Sequence, residues 1–165
     1  MTYRPERPDP QKSLVGFVVG DVAYAVPIDH VREIVNPLPI TELPHAPATI
    51  AGVADHRGEI VPVVELRVRF GLPPLPDPRR AKWILIDVTG RGVALSVDRV
   101  TEVFGTAGAD LKPAPALGGG DDLRGISGVV SRAGGLTFIL DVGEFDVPTS
   151  SIVQAQLLAA SEARR

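Results

Sequence analysis

The sequence predicts an all-β protein with short helices, assembled from two similar small lobes of about five short strands each. Three observations predict it. Apolar runs rich in Val, Ile, Leu and Ala come in pairs separated by glycine-bearing turns, the spacing of hairpins. One half of the chain echoes the other: Asp29-His30-Val31-Arg32-Glu33-Ile34-Val35 aligns with Asp98-Arg99-Val100-Thr101-Glu102-Val103-Phe104, an offset of 69 (98 minus 29). Aromatic residues make up only 5% of the chain although 44% of it is hydrophobic, so each half needs the other for a sufficient core.

Taken in order, residues 1–12 read as a disordered arm, because Pro5, Pro8 and Pro10 among charges cannot bury enough surface to fold. From Leu14, LVGFVVGDVAYAV is a hairpin turning at Gly20-Asp21 and ended by Pro27. Residues 28–35 fit either a helical turn or a strand: Val31, Ile34 and Val35 have helical spacing, but the β-branched content favours a strand. Four prolines (Pro37, Pro39, Pro44, Pro47) make 36–49 an irregular connection. Ile50–Val64 is a second hairpin, with Arg57-Gly58 at its tip; the glycine is free to take φ > 0. ELRVRFGL then suggests one helical turn, followed by the proline-rich linker Pro73–Pro78.

The second half opens with the buried strand KWILIDV, turns at 89–92 and returns as VALSV. Residues 98–104 follow directly. Residues 105–122, with Gly105, Gly108, Gly118, Gly119, Gly120, Pro113 and Pro115, read as a long surface loop. Strands are expected at LRGISGVV and GLTFILDV. The tail 149–165 reads as a helix capped by Ser150 or Ser151, with Ile152, Ala155, Leu158 and Ala159 on one face. The lobes are therefore expected at about 14–72 and 80–146. The cleft between them is where a partner would dock.

Bulk properties exclude several classes. At 165 residues the chain is about one domain. A formal charge of −3 gives no reason to expect a nucleic-acid binder. The absence of cysteine removes disulfides, thiolate metal sites and thiol nucleophiles. No apolar run approaches the ~20 residues of a membrane span. With a polar, proline-rich start, the protein is expected to be soluble and cytoplasmic.

Catalysis finds little support. His30, His45 and His56 lack metal-ligand spacing. Asp55 and His56 are adjacent, so on a strand they point to opposite faces and cannot act together as part of a triad. Gly125-Ile126-Ser127-Gly128 falls one residue short of a nucleophile elbow, and Gly118-Gly119-Gly120 lacks the Lys-Ser/Thr of a phosphate loop. Asp121-Asp122 lacks the alternating ligands of a calcium loop. No cofactor and no metal is expected. Binding is favoured, since small β lobes with exposed edges work by contact. Arg57 is the residue to watch: either a solvated arginine ending a strand, or one displayed on a rigid hairpin to meet a partner.

From about Leu14 to Phe145 the chain resembles the CheW-like family of chemotaxis coupling proteins, which includes the regulatory domain of CheA histidine kinases. The resemblance rests on F-V-V-G-D-x-A-Y-A-V-P-I, V-R-E-I at 31–34, L-P-x-A-P with I-x-G-V at 43–53, R-G-E-I-V-P-V-V-E-L-R at 57–67, and S-V-D-R-V-T-E-V at 96–103. It implies a pair of five-stranded SH3-like barrels. It also implies a non-catalytic adaptor that links methyl-accepting chemoreceptors to a CheA-type histidine kinase, binding the kinase's regulatory domain barrel to barrel. By motif position, the receptor-groove candidates are Val31, Glu33, Arg57 and Val100. Glu33 has a second reading, as the partner of Arg57 within the chain. The family usually has Asn-Leu before Arg-Gly; this chain has Asp55-His56, which could alter receptor preference. The alternatives are an accessory subunit that binds the kinase but no receptor, and a small-ligand protein using the inter-lobe cleft.

Overall fold

The computed structural model describes residues 13–106, 110–113, 125–132 and 134–145. The expected arm at 1–12 and the helix at 149–165 lie outside them. The described residues form eleven strands: β1 (Ser13–Val19), β2 (Val22–Pro27), β3 (Val31–Val35), β4 (Ile50–His56), β5 (Glu59–Glu65), β6 (Lys82–Val88), β7 (Arg91–Val97), β8 (Arg99–Gly105), β9 (Asp110–Pro113), β10 (Ile126–Arg132) and β11 (Gly135–Leu140). One helical turn, α1 (Leu66–Arg69), sits where ELRVRFGL predicts it. Residues 28–35 combine both expected conformations: a 3-10 turn at Ile28–His30, then β3.

The strands make two sheets. One has the order β8-β1-β2-β11-β10-β9, the other β3-β6-β7-β5-β4. The all-β, two-lobed architecture holds, but the expected boundaries of 14–72 and 80–146 do not follow the sheets. The second sheet is an inner lobe made of one continuous piece, β3 to β7. The first is a split lobe, combining β1 and β2 with β8 to β11. Each repeat thus gives its opening hairpin to the sheet that holds the other repeat's later strands. Chain length explains why. Three residues, Ile28–His30, reach about 10 Å, enough to step to a facing sheet but not to recross their own. Asp98 alone makes the return step. Its amide donates to Val18 O at 3.0 Å. Its Oδ2 accepts from Gly20 N at 2.8 Å and from Arg67 Nη1 at 2.6 Å.

The two sheets are register-for-register copies. The parallel pair Val63↔Ala94 recurs as Ile139↔Ala25. The bulge at Ile50/Gly52 recurs at Ile126/Gly128, and that at Val31/Glu33 recurs in β1–β8, where Phe17↔Val100 matches Ile86↔Val31. The expected loop 105–122 is corrected accordingly, since part of it is β9. That strand pairs with β10 where, in the inner lobe, Thr41 makes an isolated bridge to Val53.

Both faces of the central hairpins are buried. One face joins a core shared by the two sheets, including Val15, Phe17, Val26, Ile84, Ile86, Val93 and Leu95. The other face fills a lobe: Trp83, Leu85, Ala54, Val63 and Ala94 in the inner one, Leu14, Ala25, Phe104, Val130 and Ile139 in the split one. This two-sided burial is why β1 and β6 read as near-continuous apolar runs rather than alternating ones. The expected cleft between the lobes is, at its centre, this packed shared core.

Candidate functional site

The Arg57 hairpin is built from a local sequence rule. Arg57 has φ 54° and Gly58 φ 85°, so both central residues of the β4–β5 turn are left-handed, the geometry of a two-residue I′ turn. Asp55 Oδ1 accepts the Gly58 N–H at 2.8 Å and fixes the turn. The β6–β7 turn repeats the device: Thr89 at φ 50°, Gly90 at 84°, and Asp87 Oδ1 accepting the Gly90 N–H at 2.8 Å. That bond, helped by Arg32, holds the Asp87 carboxyl below the usual carboxylate range. An arginine is an uncommon choice for a left-handed position, and non-glycine outliers of this kind concentrate at functional sites. The Arg57 side chain is 75% exposed. It is displayed, not walled off.

Glu33, on the bulge of β3, reaches across to this hairpin. Its Oε1 accepts from Arg57 Nη2 at 3.0 Å, and its Oε2 lies 3.2 Å from His56 Nε2. β3 and β4 are opposite edges of the five-stranded sheet, so these contacts draw the sheet round on itself. Arg32 reinforces the closure, donating to Glu59 Oε2 at 2.8 Å and to Asp87 Oδ2 at 2.9 Å. The in-chain pair with Arg57, one of the two sequence readings of Glu33, is present in the structure. The Asp55-His56 departure has a structural account too: Asp55 fixes the turn and His56 meets Glu33. His56 as a Glu33 partner was not legible from sequence spacing, because it depends on the curl of the sheet.

Val31 and Val100 do not join this cluster. They occupy equivalent places in β3 and β8 and pack, half-buried, against the shared core. Exposed apolar residues missed by the sequence reading also recur between lobes: Ile34 with Val103, and Ile60 with Leu136. Elsewhere, clefts of about 460 Å³ and 330 Å³ open on the split lobe, the second lined by Gly16, Thr101, Glu102, Phe104, Arg132 and Thr137 among others. Among the described residues there is no cluster of three or more metal-ligating side chains, and no helix long and apolar enough to cross a membrane.

A duplicated β lobe with a displayed arginine and exposed apolar positions defines a protein that works by contact. The CheW-like domain model matches residues 13–146, and the chain belongs to that family. It is 31% identical to the chemotaxis protein CheW of Rhizobium meliloti over 79% of this chain and 84% of that one. It is 34% identical to the protein FrzA of Myxococcus xanthus, over 76% and 78%. With the CheW of Helicobacter pylori it shares 32% identity over 61% of each chain. The crystal structure of the scaffolding protein TtCheW from Thermoanaerobacter tengcongensis superposes with a TM-score of 0.72 at 27% identity, covering 83% of this chain and 94% of that one. The protein is a non-catalytic chemotaxis coupling adaptor.

Proposed function

We propose that this adaptor couples methyl-accepting chemoreceptors to a CheA-type histidine kinase, in the cytoplasm. The observation that carries the reading is Arg57, exposed and fixed at left-handed φ on a rigid hairpin. The receptor's helical tip is the partner for Arg57, with Val31 and Val100 as the apolar seat and Glu33 beside the arginine. A guanidinium fork suits a carboxylate or a row of carbonyls at a helix end. The kinase's regulatory domain, a like fold, docks barrel to barrel. The recurrence of exposed Ile34 and Ile60 as Val103 and Leu136 supports that contact, since duplicated lobes offer like surfaces to like partners.

The test is pull-down and calorimetry with each partner separately. Arg57→Glu is expected to weaken receptor-fragment binding at least tenfold while leaving regulatory-domain binding unchanged and the protein folded, with at most a small drop in melting temperature from its repulsion with Glu33. Equal receptor binding by the variant would remove Arg57 from the interface. Binding to the regulatory domain alone, by the native protein, would make it a kinase-only subunit.

A further inference from the structure

The duplication supplies an internal control for the Arg57 site. Offsets of 69 and 76 (98 minus 29; 126 minus 50) place Glu102 opposite Glu33 and Arg132 opposite His56. In the split lobe, Arg132 Nη1 donates to Glu102 Oε1 at 3.0 Å, the counterpart of the His56–Glu33 contact at 3.2 Å. Both lobes thus join a carboxylate on one edge strand to a basic side chain at the end of the strand four places along the sheet order. Arg57 corresponds in sequence to Ala133, which has no charge to offer. The split lobe therefore joins its edges through the His56-type contact without an Arg57-type one. In the inner lobe Glu33 carries both, one on each oxygen.

We propose that Glu33 is an exchangeable acceptor for Arg57, and that His56 sets how readily the exchange occurs. In the free protein Glu33 occupies the arginine. On docking, a carboxylate of the partner takes its place, and Glu33 stays paired through His56. The internal ligand identifies the external one, because the group displaced is itself a carboxylate and the replacement conserves the charge around Arg57. The other charges facing the cluster are engaged elsewhere: Asp55 on the turn amide, and Glu59 on Arg32 and the Gly92 amide. This inference rests on the reading of Arg57 as a partner-binding residue.

The experiment measures affinity for the cytoplasmic hairpin fragment of a chemoreceptor from the same cells, by calorimetry, with native melts confirming each variant's fold. Glu33→Gln removes the internal competitor and is expected to tighten binding about threefold, the scale of one exposed ion pair. His56→Leu leaves Glu33 with Arg57 alone and is expected to weaken binding by a similar factor. In the double variant His56→Leu has no further effect, because no carboxylate remains to be held. Substituting the partner's acidic residues by their amides, one at a time, is expected to find one position at which Arg57→Gln no longer matters. In the free protein, the urea-midpoint coupling between Glu33→Gln and Arg57→Gln is expected to grow when His56→Leu is added. If Arg57→Gln alone leaves binding unchanged, the functional reading fails and this inference with it. If Arg57→Gln weakens binding but Glu33→Gln also weakens it, or His56→Leu changes neither affinity nor coupling, the exchange is refuted while the reading stands.

Discussion

The left-handed Arg57 makes a prediction in which stability and function part. Asn tolerates left-handed φ better than Arg, because its short amide bonds to local backbone. Arg57→Asn should therefore relieve strain of about 1 kcal/mol. It also removes one ion pair to Glu33 from a side chain that is 75% exposed, worth about 0.5 kcal/mol after solvent screening. The net is a gain of about 0.5 kcal/mol, or roughly 1–2 °C in melting temperature for a domain of this size. Arg57→Val is the contrasting substitution. A β-branched residue is a severe outlier at φ 54°, and a loss of roughly 2 kcal/mol is expected. Both variants lack the guanidinium, so both should lose receptor binding alike. Urea denaturation measures the first effect and calorimetry the second. A loss of 2 kcal/mol or more for Arg57→Asn would show that Arg57 holds the fold together, and the case for it as a displayed contact would fail.

Two further substitutions test the architecture. A Cβ added at Gly52 would lie 2.3 Å from Thr41 O and 2.9 Å from its carbonyl carbon, both backbone, whereas one at Gly58 meets nothing within 4 Å. Gly52→Ala should therefore cost at least about 2 kcal/mol and Gly58→Ala about 1 kcal/mol; equal melts for the two would contradict the close approach of the Thr41 segment to β4. Burial pushes the Glu65 carboxyl above its ordinary 4.5, against bonds from Arg67 and Ser96. A raised folded-state value favours the protonated form in the native protein, so stability is full below about 4.5 and is lost as pH rises. Glu65→Gln, which stays neutral, should gain on the wild type between pH 4 and pH 7 in paired urea melts. A constant difference across that range would contradict the burial argument.

Much of the fold was legible because turns and hairpins are local. Gly20-Asp21, Arg57-Gly58 and Thr89-Gly90 each mark a turn that forms where the residues say it should. The repeat was legible too, but weakly, and packing explains why. Leu14 stands where Trp83 does, Phe104 where Val35 does, and Val130 where Ala54 does. Each lobe fills a similar interior with its large residues at different corners, so volume is conserved while identity is not. The exchange of hairpins between repeats was not legible. Contiguity suggested that neighbours in sequence share a lobe, and the short steps at Ile28–His30 and Asp98 decide otherwise. Strand β9 was hidden by glycines and prolines that signal a loop. Among the site residues, Arg57 announced itself as a charge at a hairpin tip. Its bond to Glu33, 24 residues away, joins two strands at opposite edges of one sheet; the pairing enters as one of two readings beside the family resemblance, since no local pattern encodes it.

The places where the two copies differ show where selection has acted on more than folding. A duplicated lobe under folding pressure alone keeps whatever closes the sheet and fills the interior. Both copies do so, with Glu33–His56 matched by Glu102–Arg132, and Trp83 with Val35 matched by Leu14 with Phe104. What one copy has and the other lacks is surplus to that requirement. The Arg57 guanidinium is such a surplus, since the sequence has Ala133 at the matching position and the split lobe joins its edges through Arg132. An arginine whose backbone is strained, and whose side chain bonds a solvent-facing carboxylate, contributes little to the native state. On the proposed function, what it meets outside the chain offsets that cost.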